Sequence, residues 1–110
     1  MVFWDGSPNG LTTVSAYCDL LAAIVSTLGH NRFVLIPAAI GGASQAAAIR
    51  DEFLARWPNN TLDWRPFIPN TGGVIDAGQF QGDGVHLTEA AMNAFVSTGL
   101  GPFLESKGWD

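Results

Sequence analysis

An aspartate and a histidine lie three residues apart in the run GDGVHLT at residues 82–88. A carboxylate beside an imidazole can accept a hydrogen bond from one ring nitrogen, fix the tautomer and stabilise the imidazolium. The other ring nitrogen can then take a proton from a nucleophile. Asp83 and His86 are therefore predicted to be the acid and base members of a hydrolytic triad.

The residues around this pair predict a rigid corner between a loop and a helix. Gly82 and Gly84 allow turn conformations, and Thr88 followed by Glu89 is typical of a helix N-cap with an acid in the first turn. A lone Asp-x-x-His pattern is a weak signal, and the alternative interpretation makes the aspartate a turn former and the histidine a helix-start residue. The rest of the chain must decide between the two.

Strands and helices alternate in the predicted element order. A short apolar strand at 2–4 precedes a cluster of turn-forming residues, and a helix starts at Thr12 or Thr13 and ends at Gly29. Its predicted inward residues are Val14, Tyr17, Leu21, Ile24, Val25 and Leu28. The apolar run at 33–37 predicts a central strand covered on both faces, and a second helix opens at 41–44 and stops at Pro58.

The second half of the chain gives weaker signals. Residues 62–69 alternate imperfectly and contain prolines, which predicts an edge strand at best, and residues 69–82 predict a glycine-rich loop with a brief apolar pair at 74–75. The last helix is predicted from Glu89, and Pro102 should kink or split it. Its predicted inward residues are Ala91, Met92, Phe95 and Val96.

This alternation predicts an α/β fold in which right-handed crossovers join the strands. Functional loops in such folds leave the carboxyl ends of strands, as the loop at residues 6–10 does. Asn9 in that loop is a candidate oxyanion donor, since a side-chain amide can donate to a developing negative charge. The alternative is that Pro8-Asn9-Gly10 only forms a turn.

Composition narrows the class of protein. The chain has 110 residues, a formal net charge of −5 and few scattered basic residues, which predicts one globular domain and argues against a nucleic-acid surface. The basic residues are Arg32, Arg50, Arg56, Arg65 and Lys107. Cys18 is the only cysteine and is expected to be a buried thiol. No signal-peptide pattern and no membrane-spanning apolar stretch occurs in this sequence, so we expect a soluble chain, with no compartment indicated.

Two segments resemble conserved blocks of the SGNH (GDSL-type) hydrolase superfamily of serine esterases and lipases. The run DGVHLT at 83–88, with a following helix that ends in KGW at 107–109, is similar to the last block, which supplies the triad Asp and His. The run VFWDGSPN at 2–9 resembles the third block, a strand ending in Gly-x-Asn-Asp. Here an extra residue separates Gly6 from Asn9, and Gly10 stands where the family has Asp.

The resemblance covers nearly all of residues 1–110 and implies a single, partial, flavodoxin-like three-layer α/β/α domain with a parallel sheet. It implies an ester hydrolase in which a serine attacks an acyl or acetyl ester, such as an acylated carbohydrate. Asp83 would orient His86, His86 would move the proton, and Asn9 would hold the oxyanion, with no metal or cofactor. The blocks with the nucleophilic serine and a second oxyanion glycine would precede Val2, so a truncated domain is expected, with Ser7 as a less favoured nucleophile.

Alternatives remain open at this point. The chain could be a non-catalytic remnant, or a glycan-binding or structural module of a larger protein. His30 could join Asp83 and His86 in a metal site, but its turn is predicted at the opposite end of the sheet. The uncovered edge of the first strand predicts a partner chain or self-association.

Overall fold

The computed structural model describes residues 2–4, 13–37, 44–84 and 86–109. In the first half of the chain the elements are β1 (Val2–Trp4), α1 (Val14–Ser26), β2 (Val34–Ile36) and α2 (Ser44–Arg56). In the second half they are β3 (Asn70–Thr71), β4 (Val74–Ile75), a 3₁₀ turn (Ala77–Gln79), α3 (Glu89–Phe95), a π-helical segment (Val96–Leu100) and α4 (Gly101–Lys107). Helix and sheet are mixed, which is an α/β structure in the general sense that the sequence predicts.

Strand β2 has a neighbour on each side. It pairs in parallel with β1, with Val34 opposite Val2. On its other side Leu35 bridges Thr61 in parallel, and the Leu35 backbone N–H donates to the Asn60 carbonyl at 2.8 Å. The prediction of a central strand at 33–37 is confirmed.

The predicted edge strand at 62–69 is wrong over most of its length. Leu62 N–H donates to the Leu35 carbonyl at 2.9 Å, but pairing stops there. The chain then turns, and the Trp64 carbonyl accepts hydrogen bonds from Phe67 N–H and Ile68 N–H. Pro66 and Pro69 lack an N–H group, so a ladder through this segment would lose donors.

Alternate side chains of β2 and of the residue before it face two separate apolar clusters. Phe33 and Leu35 belong to one cluster, together with residues of both α1 and α2. Val34 and Ile36 belong to the other, which contains Phe95 of α3. This two-residue period is the one expected of a strand covered on both faces, so β2 forms the centre of the described structure.

Helices α1 and α2 pack against each other beside β2. The N-cap Thr13 accepts a hydrogen bond from Ala16 N–H at 3.0 Å, which agrees with the predicted helix start. The rings of Tyr17 and Phe53 stack with centroids 6.3 Å apart. Cys18 is fully buried, as predicted. Ile24 was expected to point inward and is 44% exposed. The buried residues of α1 are Cys18 and Leu21, which form a narrower stripe than the apolar composition of the helix indicates.

Residues 70–75 form a hairpin where only a loop with an apolar pair was expected. Asn70 pairs with Ile75 and Thr71 with Val74 in antiparallel register. The two residues between the strands, Gly72 and Gly73, have φ values of 61° and 84°. Glycine adopts these left-handed conformations without the steric penalty of a Cβ atom, so a Gly-Gly pair fits a tight two-residue turn.

Residues Glu89–Lys107 form one C-terminal helical rod that is divided into α3, the π-helical segment and α4. The sequence predicts a kink or split at Pro102, and the structure changes from π-helix to α-helix directly before this proline, which occupies the first turn of α4. In a π-helical segment each hydrogen bond spans five residues instead of four, so a different set of carbonyls needs a donor. The N–H group that Pro102 lacks is therefore tolerated there. Val96 was predicted inward and is 44% exposed. Within the described residues no helix combines the length and the apolarity that a membrane span needs.

Candidate active site

The loop that carries Asp83 and His86 is closed at its base by a short antiparallel ladder. Phe80 bridges Leu87, and Thr88 N–H donates to the Gln79 carbonyl at 2.9 Å. Phe80 and Leu87 also pack against the cluster that contains Phe95. The polar tip of the loop therefore stands on an apolar base that belongs to the core.

The carboxylate of Asp83 contacts His86 twice. Its Oδ1 accepts the His86 backbone N–H at 3.0 Å, and its Oδ2 lies 2.5 Å from the His86 ring Nδ1. An ionised carboxylate can only accept, so Nδ1 must carry the proton, and in the neutral ring Nε2 holds the lone pair. The pair is therefore arranged as a base with a fixed tautomer.

The reactive side of the imidazole faces outward. The side chain of His86 is 74% exposed and that of Asp83 is 46% exposed. No hydrogen bond joins Nε2 to any residue in the described part of the chain. Nε2 can therefore reach a nucleophile or a ligand that is brought to this loop.

Only one of the two glycines in this loop needs to be glycine for conformational reasons. Gly84 has a φ of 68°, and its N–H donates to the Gln81 carbonyl at 2.9 Å to close a four-residue turn. Gly82 has no positive φ. Thr88 caps α3 as predicted, since its Oγ1 accepts from Ala91 N–H at 3.1 Å. The loop-to-helix corner expected from the sequence is present.

The direction of the C-terminal rod places this corner relative to the strands. Lys107 Nζ donates to the carbonyl of Asn59, which lies just before the Thr61 bridge, so α4 ends at the amino side of the strands. Phe95, nearer the beginning of the rod, packs in the cluster that contains Val34 and Ile36. Asp83 and His86 precede Glu89, so they belong to the end of the rod opposite to the one that contacts Asn59.

The other predicted site residues cannot be placed. Asn9 and Ser7 both lie outside the described residues, so the oxyanion role of Asn9 stays a prediction. The described serine side chains all lie in helical segments, and none donates to His86; they are Ser15, Ser26, Ser97 and Ser106. Three of them donate to carbonyls of their own helix instead, from Ser26, Ser97 and Ser106.

His30 serves a local role at the opposite side of the strands. Its Nδ1 accepts a hydrogen bond from Arg32 N–H at 3.1 Å in the turn that precedes β2. Across the described ranges, no group of three or more His, Cys, Asp or Glu side chains could hold a metal ion.

Gln81 is a residue of this site that the sequence did not single out. Its backbone N–H donates to the His86 carbonyl at 2.7 Å, and its side-chain Nε2 donates to the Leu87 carbonyl at 3.2 Å. The available signal was the pair of apolar residues, Phe80 and Leu87, that flank a glycine-rich tip, which is typical of a closed loop.

Comparison with known proteins gives no match: no family model, no curated protein and no solved structure is similar to this chain. The function of this chain is therefore inferred from the residues of the loop and their geometry.

Proposed function

We propose that this chain carries the acid–base pair of an ester hydrolase of the SGNH type. The observation that carries the proposal is the contact of Asp83 Oδ2 with His86 Nδ1 at 2.5 Å, in a histidine whose side chain is 74% exposed. A ring held this way by a carboxylate is ready to act as a general base. The substrate class is an acyl or acetyl ester, including acylated carbohydrate.

The proposed mechanism is acyl transfer. His86 Nε2 takes the proton of a serine hydroxyl as the oxygen attacks the ester carbonyl, and the imidazolium returns the proton to the leaving alcohol. Asp83 holds the ring orientation and stabilises the positive charge that forms. Asn9 is proposed to donate to the oxyanion.

The position of the pair supports this proposal. Ligands of open α/β sheets bind beyond the carboxyl ends of the strands, and His86 precedes the end of the Glu89–Lys107 rod that is opposite to its contact with Asn59 at the amino side. The parallel pairing of β1 with β2, and the helices on both faces of β2, support the further proposal of a flavodoxin-like three-layer domain.

The second candidate is a non-catalytic module, such as a degenerate hydrolase that binds glycans. One observation favours it, namely that no described serine side chain donates a hydrogen bond to His86. If the domain is catalytic, the nucleophile is Ser7 or a serine that a partner chain or a longer parent chain supplies, and labelling of a Ser7→Ala variant separates Ser7 from the other sources.

The test is hydrolysis of p-nitrophenyl acetate by the chain and by His86→Ala, with labelling by a serine-reactive fluorophosphonate. His30→Ala is the matched control, because His30 is the other histidine of the chain and lies in a turn on the far side of the strands. A free imidazole hydrolyses activated esters slowly, so this control measures the background. We expect His86→Ala to lose more than about 100-fold in rate, as general bases contribute about 10²–10⁴-fold.

Loss of both hydrolysis and labelling in His86→Ala, with His30→Ala unchanged, would support the proposal. Retention of the label in a Ser7→Ala variant would point to a partner's serine. Equal rates in the two histidine variants of an active chain would contradict the hydrolase proposal and leave the non-catalytic module. An unlabelled and inactive wild-type chain would mark it as the incomplete half of an esterase or as that module.

A further inference from the structure

We infer that Gln81 is a positioning residue for His86, acting through its side-chain amide. This inference rests on the proposed function only in giving His86 a proton-transfer role. The observations behind it are the hydrogen bonds that Gln81 makes to both sides of the Asp83–His86 loop.

The backbone of Gln81 forms two of these bonds. Its N–H donates to the His86 carbonyl at 2.7 Å, and its carbonyl accepts the Gly84 N–H at 2.9 Å. Asp83 Oδ1 takes the remaining backbone group of His86, its N–H. Both backbone polar groups of His86 are thus bonded within the loop, so the position of its Cα depends on Gln81 and Asp83 together.

The side chain of Gln81 adds the contact that a backbone ladder cannot supply. Its Nε2 donates to the Leu87 carbonyl at 3.2 Å, one residue after His86. Successive carbonyls of an extended segment point in opposite directions, so backbone pairing to the His86 carbonyl leaves that of Leu87 without a partner on the same strand. The amide of Gln81 holds the peptide group that follows His86. It therefore limits rotation of the backbone that carries the His86 ring.

Neighbouring Gln79 gives a matched comparison. It lies on the same ladder, where its carbonyl accepts the Thr88 N–H, but within the described residues its side-chain amide makes no hydrogen bond. Both side chains are of one type and lie two residues apart, so replacement of each by methionine removes the same amide from the same ladder. Only the Gln81 replacement removes a bond to the segment that carries His86.

The experiment measures the His86 ring by NMR in the full chain, without substrate. In the wild type we expect the ring to populate the Nδ1–H tautomer and to show the low-field proton of the bond to Asp83. Gln81→Met should lose that proton signal by exchange broadening, whereas Gln79→Met should retain it. Gln81→Lys keeps a donor at the end of a chain of similar length and should restore the signal.

The same variants have a kinetic readout if the wild type hydrolyses esters. Gln81→Met should lower kcat about fivefold with KM unchanged, the effect of one exposed hydrogen bond on the orientation of the base. The inference is overturned if the ring signals of Gln81→Met match those of the wild type, or if Gln79→Met loses them equally. Because the NMR arm needs no substrate, an inactive chain would count against the proposed function and still leave the positioning role of Gln81 decided.

Discussion

Strand β2 and the Asp83–His86 loop are held in place by different forces. Leu35 and Val34 of β2 are completely buried, and their contacts come from helices and turns far along the chain. The side chain of His86 is 74% exposed, and its hydrogen bonds come from residues within five positions of it. The strand is stabilised by apolar burial, whereas the loop is stabilised by local polar contacts and one left-handed glycine.

This difference separates the residues that determine the stability of the domain from those that determine the environment of His86. Substitutions in the clusters around β2 should lower the free energy of unfolding of the whole domain, since those clusters hold several elements together. Substitutions at the loop tip should change His86 with a small effect on global unfolding.

The largest effect is expected at Phe95, which is fully buried in the cluster that holds Val34 and Ile36. Phe95→Ala should lower the free energy of unfolding by about 3–5 kcal/mol, because it removes apolar contacts and leaves a cavity. The control is Val96→Ala at the next position, which is 44% exposed and should cost less than about 1 kcal/mol. Urea unfolding measures both, and equal losses would contradict the assignment of Phe95 to the core.

The sequence predicted those parts of the structure that depend on contacts between residues close together in the chain. Thr13 and Thr88 mark helix starts because a capping hydroxyl acts within three residues. The pairing of Asp83 with His86 was predictable for the same reason, as the two residues lie in one short loop. Ser7 and Asn9 lie outside the described residues, so their roles stay predictions.

Some features were not predictable from local signals. Pairing at residues 62–69 stops after Leu62 because the chain turns onto the apolar cluster around Ile68, a tertiary effect that overrides a weak strand pattern. The π segment that precedes Pro102 was not predicted, because no composition signal marks it. Gln81 was missed because its importance comes from the ladder between Phe80 and Leu87.

The next largest effect is expected at Gly99, where the C-terminal rod contacts the turn that contains Phe67. A Cβ atom at this position would lie 2.9 Å from the ring of Phe67, which is closer than real Cβ contacts. Gly99→Ala should therefore destabilise the fold by about 1–2 kcal/mol, since overpacking outweighs the gain in helix propensity. Gly78→Ala, with open space around it, is the control and should be near neutral in thermal unfolding.

A double-mutant cycle sharpens the Gly99 prediction. If the clash with Phe67 is the cause, Gly99→Ala should cost less in a Phe67→Ala background than in the wild type. The same cost in both backgrounds would mean that the alanine disturbs the π segment rather than the ring.

A smaller effect is expected at the loop tip. Gly84 has a φ of 68° and no atom within 4 Å of a built Cβ, so Gly84→Ala introduces backbone strain without a clash. The cost should be about 1 kcal/mol, and it should be accompanied by faster hydrogen exchange of the His86 amide. Gly82→Ala, with equal space and no positive φ, should change neither quantity. A similar loss in both variants would show that the tip depends on more than one left-handed residue.

The smallest effect is expected at the ion pair of Asp63 and Arg65, where partial burial and local polar contacts act together. Asp63 is partly buried and accepts hydrogen bonds from Arg65 Nε at 3.0 Å, Arg65 Nη2 at 2.6 Å and the Arg65 backbone N–H at 3.0 Å. Burial raises the pKa of Asp63, but the hydrogen bonds and charge of Arg65 outweigh it and hold that pKa below the ordinary value of 3.8. A lowered pKa in the folded state stabilises the protein above the unfolded pKa and loses this contribution as the pH falls through the folded one.

Asp63→Asn should therefore cost about 0.5–1 kcal/mol at pH 7, as partly exposed ion pairs do. The difference from the wild type should shrink as the pH falls below about 4, because the carboxyl of the unfolded chain binds a proton there while that of the folded protein, with its lowered pKa, is protonated only at lower pH. Urea unfolding at several pH values measures it, with Glu105→Gln as the control, because its exposed carboxylate makes no hydrogen bond to the described residues. A constant difference across pH would show that Asp63 acts through its shape and neutral hydrogen bonds, and the polar contacts of this turn would then stabilise it without a contribution from the charge of the Asp63–Arg65 pair.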